Sequence, residues 1–161
     1  MALIARGDEA PDFELPEASG RMVRLSDAVT EGTVVLVFYP TDWGVICTME
    51  MKAFQRVLDD IRAAGAGIIA VSVNSTTSHR AWKEQLDISW PLLSDVGGTA
   101  ARLYGVLVPD GRFLEGHSQR SVFVIGRDRR VCYAWIAPEH PIEPDYGAVV
   151  EACRRCDGSN R

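Results

Sequence analysis

The stretch Phe38-Tyr39-Pro40-Thr41-Asp42-Trp43-Gly44-Val45-Ile46-Cys47-Thr48-Met49-Glu50 decides the fold. An apolar run, Val34 to Tyr39, leads into it and stops at a proline, which has no N–H to give to a sheet ladder. The run is apolar at odd and even positions alike, the pattern of a strand buried on both faces. After a short polar turn, Thr48 to Ala63 carries Met51, Phe54, Val57, Leu58 and Ile61 at helical spacing, and Gly65 and Gly67 end it. Cys47 therefore stands where a helix opens. A thiol there faces unpaired backbone N–H groups and the positive end of the helix dipole, and both favour the nucleophilic thiolate.

Working outward, the first 30 residues are rich in turn formers, with Gly7, Pro11, Pro16 and Gly20. Two short alternating pieces, Phe13-Glu14-Leu15 and Met22-Val23-Arg24-Leu25, predict a hairpin. Ile68 to Val73 is a second buried strand, and Ser78 to Gln85 a helix with Ser78 as its N-cap. Pro91 to Asp95 is a short strand, and Thr99 to Tyr104 a short helix closed by Gly105. Arg120 to Ile125 and Val131 to Ile136 are β-branched runs on either side of Gly126-Arg127-Asp128-Arg129-Arg130, which reads as a solvated hairpin turn. Tyr146 to Arg155 is a last helix, with Gly158 soon after. Alternating strands and helices give a parallel centre, and the hairpin adds an antiparallel edge. This is the order of a thioredoxin-like α/β sandwich with a central mixed sheet and an N-terminal hairpin extension, expected as one domain over residues 1–161.

Composition narrows the function. With 17 basic and 22 acidic residues the net charge is −5, which argues against nucleic acid and anionic membranes as partners. No apolar stretch reaches the ~20 residues of a membrane span, and Met1 to Gly7 is too short and too soon polar for a signal peptide. The cytoplasm is the expected setting. There the four cysteines, Cys47, Cys132, Cys153 and Cys156, are expected as reduced thiols. Cys132 falls in a predicted strand and reads as core.

Four stretches together resemble the peroxiredoxin family. Gly7-Asp8-Glu9-Ala10-Pro11-Asp12-Phe13-Glu14-Leu15 is similar to its opening Gly-x-x-Ala-Pro-x-Phe-x-Leu. Phe38 to Glu50 resembles its active-site loop, Pro-x-x-x-Thr/Ser-x-x-Cys. Pro91 to Asp95 with Tyr104-Gly105-Val106, and Arg120 to Ile125, resemble two later blocks in the right order. Within the family the likeness is to the small bacterioferritin-comigratory and one-cysteine bacterial types.

The resemblance implies a thiol peroxidase. Cys47 attacks a hydroperoxide, Arg120 lowers its pKa and stabilises the attacked peroxide, and Pro40 shields the thiol. Arg120 suits that task because a guanidinium keeps its charge at any working pH. From its spacing, Glu50 lies one turn after Cys47 on the same helix face and is a candidate to hold Arg120 by a bidentate pair, with a first-turn glutamate complementing the helix dipole the alternative. Phe38, Tyr39 and Trp43 are candidates to line the pocket, with plain core packing the alternative. The expected partners are a peroxide, a thioredoxin-like or small-thiol reductant and a second copy of the chain, with no metal or organic cofactor.

One position departs from the motif. Gly44 stands where the family carries a hydroxyl that orients the peroxide, and losing such a donor costs ~10²–10³-fold in rate. A non-catalytic thioredoxin-fold sensor or binding protein is therefore the rival reading. Cys153-Arg154-Arg155-Cys156 places two thiols on one helix face. They are either resolving thiols for Cys47, activated by the flanking arginines, or two thiols on a frayed tail. Three histidines, His79, His117 and His140, with no second C-x-x-C argue against zinc, and none shows a pairing with the reactive segment. Lys52 occupies the position five residues after Cys47, where some relatives carry a resolving cysteine.

Overall fold

A computed structural model describes residues 3–156. Five strands form the central sheet: β3 (Thr33–Phe38), β4 (Ala66–Ser72), β5 (Leu92–Ser94), β6 (Ser121–Ile125) and β7 (Val131–Ile136), in spatial order β5-β4-β3-β6-β7. The first three run parallel, β6 pairs antiparallel with β3, and β7 antiparallel with β6. A separate hairpin, β1 (Glu14–Pro16) with β2 (Met22–Arg24), lies N-terminal to the sheet in sequence. The mixed thioredoxin-like sheet expected from the sequence is present.

β3 is central and every residue of it is buried. Its side chains alternate between two cores, as the period of a strand dictates. Val35 and Val37 point to one face, where helix α2 (Val45–Ala63), helix α3 (Thr76–Leu86) and helix α5 (Tyr146–Cys156) contribute Met51, Phe54, Trp82 and Val149. Val34, Leu36 and Phe38 point to the other, against Leu25, Val29, Tyr104 and Phe123 from helix α1 (Leu25–Glu31), the end of helix α4 (Thr99–Leu103) and β6. Burial on both sides explains why the run is apolar throughout.

Several boundaries differ from expectation. Helix α1 lies inside the segment read as hairpin and loop, because one short helix with only Leu25 and Val29 buried leaves no repeated period to read. Helix α2 begins at Val45, so Cys47 lies within its first turn rather than before it. Ser75, not Ser78, caps α3: its side chain accepts the Ser78 N–H at 3.2 Å, which releases the Ser78 hydroxyl for another partner. Gly158 lies outside the described residues.

The cysteine expectation also changes. Cys132 on β7 and Cys156 at the end of α5 form a disulfide, with Cα atoms 5.7 Å apart. Sequence reading missed it because the partners lie 24 residues apart and meet only when α5 packs on β7. Cys132 is thus half-buried and bonded rather than a reduced core thiol.

Leu36→Ala is expected to lower the unfolding free energy by about 2–5 kcal/mol, since a fully buried central-strand leucine leaves a cavity that rigid neighbours on both sides cannot close. Urea titration by circular dichroism measures it.

Candidate active site

The site assembles where the C-terminal end of β3 meets the start of β6. Antiparallel pairing sets Phe38 opposite Ser121, so Arg120, one residue before β6, arrives beside the loop that follows β3. Cys47 and Arg120 are each 1% exposed. Arg120 Nη1 stands 3.5 Å from Cys47 Sγ and 2.5 Å from Glu50 Oε1, and Nε donates to the His140 carbonyl at 3.3 Å. Glu50 is fully buried one helical turn after Cys47. Removing one member of such a pair strands a buried charge, at a cost of about 3–5 kcal/mol. Arg120 Nη2 and Glu50 Oε2 are buried with no hydrogen-bond partner among the described residues.

Electrostatics here are a contest between desolvation and charge. Burial pushes the Cys47 thiol up, while the Arg120 charge and the Thr41 backbone N–H pull it down. Glu50 repels the thiolate. The net direction is upward, against the lowered value expected from a helix end and an arginine, because neither of those considerations counts the loss of water at a buried sulfur. Burial likewise lifts Glu50 to about 7, against the pull of Arg120.

A cavity of about 310 Å³ opens beside Pro40 and Arg120, walled by Val108, Phe113, Leu114 and Pro138. A larger groove of about 470 Å³ lies near the opposite ends of β3 and β4, by Thr33 and Ala66, and holds none of the site residues. Pro40 is buried against the smaller cavity. Phe38 is not part of the site: it points to the opposite core, with its ring centroid 5.3 Å from that of Tyr104. Trp43 is 50% exposed on the loop, with φ 71°, and its indole N–H reaches the Ser78 hydroxyl at 3.3 Å rather than walling the cavity.

The C-terminal pair does not behave as two activated thiols. Cys156 is bonded to Cys132, and Cys153 is a buried free thiol pushed up to about 12 by desolvation. Arg154 and Arg155 are exposed and reach Glu151 instead. Among the described residues no cluster of three His, Cys, Asp or Glu side chains can hold a metal ion, and no helix is long and apolar enough to cross a membrane.

The sequence reading missed one cluster. His79, fully buried, contacts the Asp42 carboxylate at 2.8 Å, and Asp42 belongs to the reactive loop. A histidine in Ser78-His79-Arg80 has no motif spacing to mark it; the contact exists because β4 lies between β3 and β5 and α3 packs over them.

Gly44 leaves the motif's side chain absent, but its backbone is ordinary. Its φ is −65° and ψ 145°, and a Cβ built there lies 3.4 Å from Cys47 Sγ and 3.5 Å from Thr41. That is contact distance to the sulfur without a clash.

A buried thiol in the first turn of a helix, 3.5 Å from a buried arginine that leads into the neighbouring strand of a mixed thioredoxin-like sheet, is an arrangement suited to thiol redox chemistry. The chain belongs to the AhpC/TSA family, whose model matches residues 6–134, and it is a peroxiredoxin of the bacterioferritin-comigratory type, a thiol peroxidase. It is 32% identical over 134 residues to the peroxiredoxin bcp of Coxiella burnetii, covering 82% of this chain and 88% of that one. The crystal structure of the peroxidoxin BcpB from Mycobacterium tuberculosis superposes with a TM-score of 0.83 at 29% identity, over 94% of this chain and 97% of that one. The chloroplastic 2-Cys peroxiredoxin BAS1 of Hordeum vulgare is 33% identical over 132 residues, but the chain spans only 61% of its length.

Two predictions follow from this geometry. A carboxyl raised from 4.5 to about 7 on folding binds its proton more tightly in the folded state. Its contribution to stability is full below 4.5 and is lost as pH rises through about 7. Glu50→Gln should flatten that part of the stability–pH curve in denaturant titrations, and an unchanged slope contradicts it. Gly44→Thr should react with hydrogen peroxide faster than wild type and faster than Gly44→Ala, since the backbone accepts a Cβ and only threonine adds a donor. Stopped-flow loss of the Cys47 thiol decides, and equal slowing by both variants counts against a missing substrate contact.

Proposed function

We propose that Cys47 is the peroxidatic nucleophile, Arg120 its electrostatic partner, Glu50 the residue that fixes Arg120, and Pro40 the shield over the thiol. The observation that carries this reading is the buried Arg120 guanidinium. One nitrogen lies on the sulfur and Glu50, while the other is a desolvated donor without a partner among the described residues. A donor left unmatched beside a nucleophile fits a peroxide oxygen whose charge grows as its bond breaks. The Cys47 thiolate attacks one oxygen of ROOH. A new S–O bond forms, the O–O bond breaks, and the leaving RO⁻ takes a proton to give ROH, or water when R is hydrogen. The sulfur is oxidised to sulfenic acid and the peroxide reduced.

The return to thiol comes from outside the chain. A reductant thiol condenses with the sulfenic acid and releases water, and a second thiol cleaves the mixed disulfide. Small thiols or a thioredoxin-like dithiol serve, and the reducing cytoplasm, the setting we propose, supplies both. Cys156 is already bonded and Cys153 is held buried and protonated, which supports a one-cysteine cycle over internal resolution. A homodimer through the face near the active site fits the apolar side chains exposed there, Trp43, Val45 and Met49.

Cys47→Ser should abolish peroxide consumption with its circular dichroism unchanged, whereas Cys153→Ser should turn over normally with dithiothreitol. Intact mass after one equivalent of peroxide should show one added oxygen. Turnover without Cys47, or a new internal disulfide, contradicts the scheme.

A further inference from the structure

Two buried donors without partners line the cavity beside Pro40. Ser118 is fully buried and Arg120 is 1% exposed, and both contribute to its wall. Among the described residues, Ser118 Oγ and Arg120 Nη2 have no hydrogen-bond partner, and the other buried side-chain atoms in that condition belong to residues away from this cavity. A hydroxyl taken out of water with nothing to bond disfavours the folded state. The backbone brings the two together. Ser118 bridges antiparallel to Leu107, the Gln119 N–H donates to the Val106 carbonyl at 2.6 Å, and the Arg120 carbonyl accepts the Ala137 N–H at 2.8 Å. Residues 118–120 thus continue β6 backward as an extended segment held on both sides. Side chains alternate along such a segment, so Ser118 and Arg120 leave it on the same side. Gln119, between them, donates its amide to the Ala137 carbonyl at 2.9 Å.

The facing walls are apolar: Val108, Phe113, Leu114 and Pro138. Phe113 is 74% exposed, and its ring meets the His140 ring edge-on at 5.4 Å. The carbonyl of His140 in turn accepts from Arg120 Nε, which ties the two loops around the cavity to the guanidinium. At about 310 Å³ the space is at the small end of ligand sites, which run from about 300 to 1,000 Å³. Its lining calls for a compact apolar group with two neighbouring acceptor oxygens at one end. A hydroperoxide on a short alkyl or arylalkyl carbon has that form.

We propose that Ser118 is a substrate-binding residue: its hydroxyl donates to the leaving oxygen of the hydroperoxide while Arg120 serves the oxygen that Cys47 attacks, and the carbon substituent lies against Val108 and Phe113. This deepens the reading of Cys47 as the nucleophile and rests on it. In the step it assists, the S–O bond forms and the O–O bond breaks. The leaving oxygen keeps the electron pair of that bond and takes a proton to give ROH, and Ser118 retains its own proton. Gly44 has no side chain to donate, and Ser118 supplies a hydroxyl from the strand side of the site instead.

The product alcohol carries the same leaving oxygen, so it probes the contact without a redox step. Cumyl alcohol titrated into the intact protein should shift the backbone amide signals of Val108, Leu114, Ser118 and Arg120 in proton–nitrogen NMR spectra. Ser118→Ala should weaken its binding about two- to tenfold, the worth of one hydrogen bond, and slow Cys47 oxidation by cumene hydroperoxide by a similar factor. Phe113→Ala, a change at an exposed position, should lower the ratio of the Cys47 oxidation rate with cumene hydroperoxide to that with hydrogen peroxide. Removing an unpartnered hydroxyl should leave the urea midpoint of Ser118→Ala equal to wild type or higher, which separates this role from a structural one. Amide shifts elsewhere, unchanged alcohol affinity or oxidation rate in Ser118→Ala, or a lower urea midpoint overturns the assignment. If the alcohol binds as described but neither peroxide oxidises Cys47, the peroxidase scheme falls while the Ser118 contact stands.

Discussion

A guanidinium with 1% exposure survives inside a protein only if its charge is matched, and in this chain Glu50 supplies the match. The rest of the site depends on that pair. Glu50 fixes the rotation of Arg120, and Arg120 then sets one nitrogen against Cys47 and leaves another unpaired. The pair nonetheless weakens its own field at the sulfur. Glu50 repels the thiolate that Arg120 attracts, and burial of both raises Glu50 toward neutrality. A carboxyl near about 7 is partly protonated at ordinary pH, and in that fraction the full positive charge of Arg120 faces the thiol. Acidity and nucleophilicity at this site are thus coupled through a residue that touches neither reactant.

Topology does what local sequence cannot. Arg120 and Cys47 are 73 residues apart and meet because β6 runs antiparallel to β3. A parallel β6 would put its first residue at the far end of the paired stretch, opposite Val34 rather than Phe38, roughly 13 Å away at 3.3–3.4 Å per residue. The parallel neighbour β4 serves the other side: it lies between β3 and β5, so α3 can reach the loop with His79 while Leu93 closes on that ring from β5.

The parts legible in the sequence are those written in local periods and in a motif. β3, α2 and the strands of the C-terminal hairpin each bury a repeated pattern, and the spacing of Pro40, Cys47 and Glu50 within one loop and one helical turn is visible without a structure. Arg120 was legible only through its resemblance to a family block. What escaped reading shares one property, dependence on contacts between distant segments. The Cys132–Cys156 bond, the Asp42–His79 contact and the assignment of Phe38 to the opposite core are fixed by how elements pack. The direction of the Cys47 shift escaped for a different reason: a helix end and an arginine can be read from spacing, whereas the amount of water removed from a sulfur cannot.

The glycine at position 44 redistributes risk within the site. On the reading proposed here, its loss of a hydroxyl leaves Arg120 as the side-chain donor at the sulfur, with Thr41 contributing through its main chain. A main-chain N–H cannot be removed by ordinary substitution, proline excepted. Mutational drift in the loop can therefore change side chains at 41, 45 or 46 while the amide contribution persists. Positions 50 and 120 have no such insurance, because the entire side-chain share of the field passes through one guanidinium and the carboxyl that holds it.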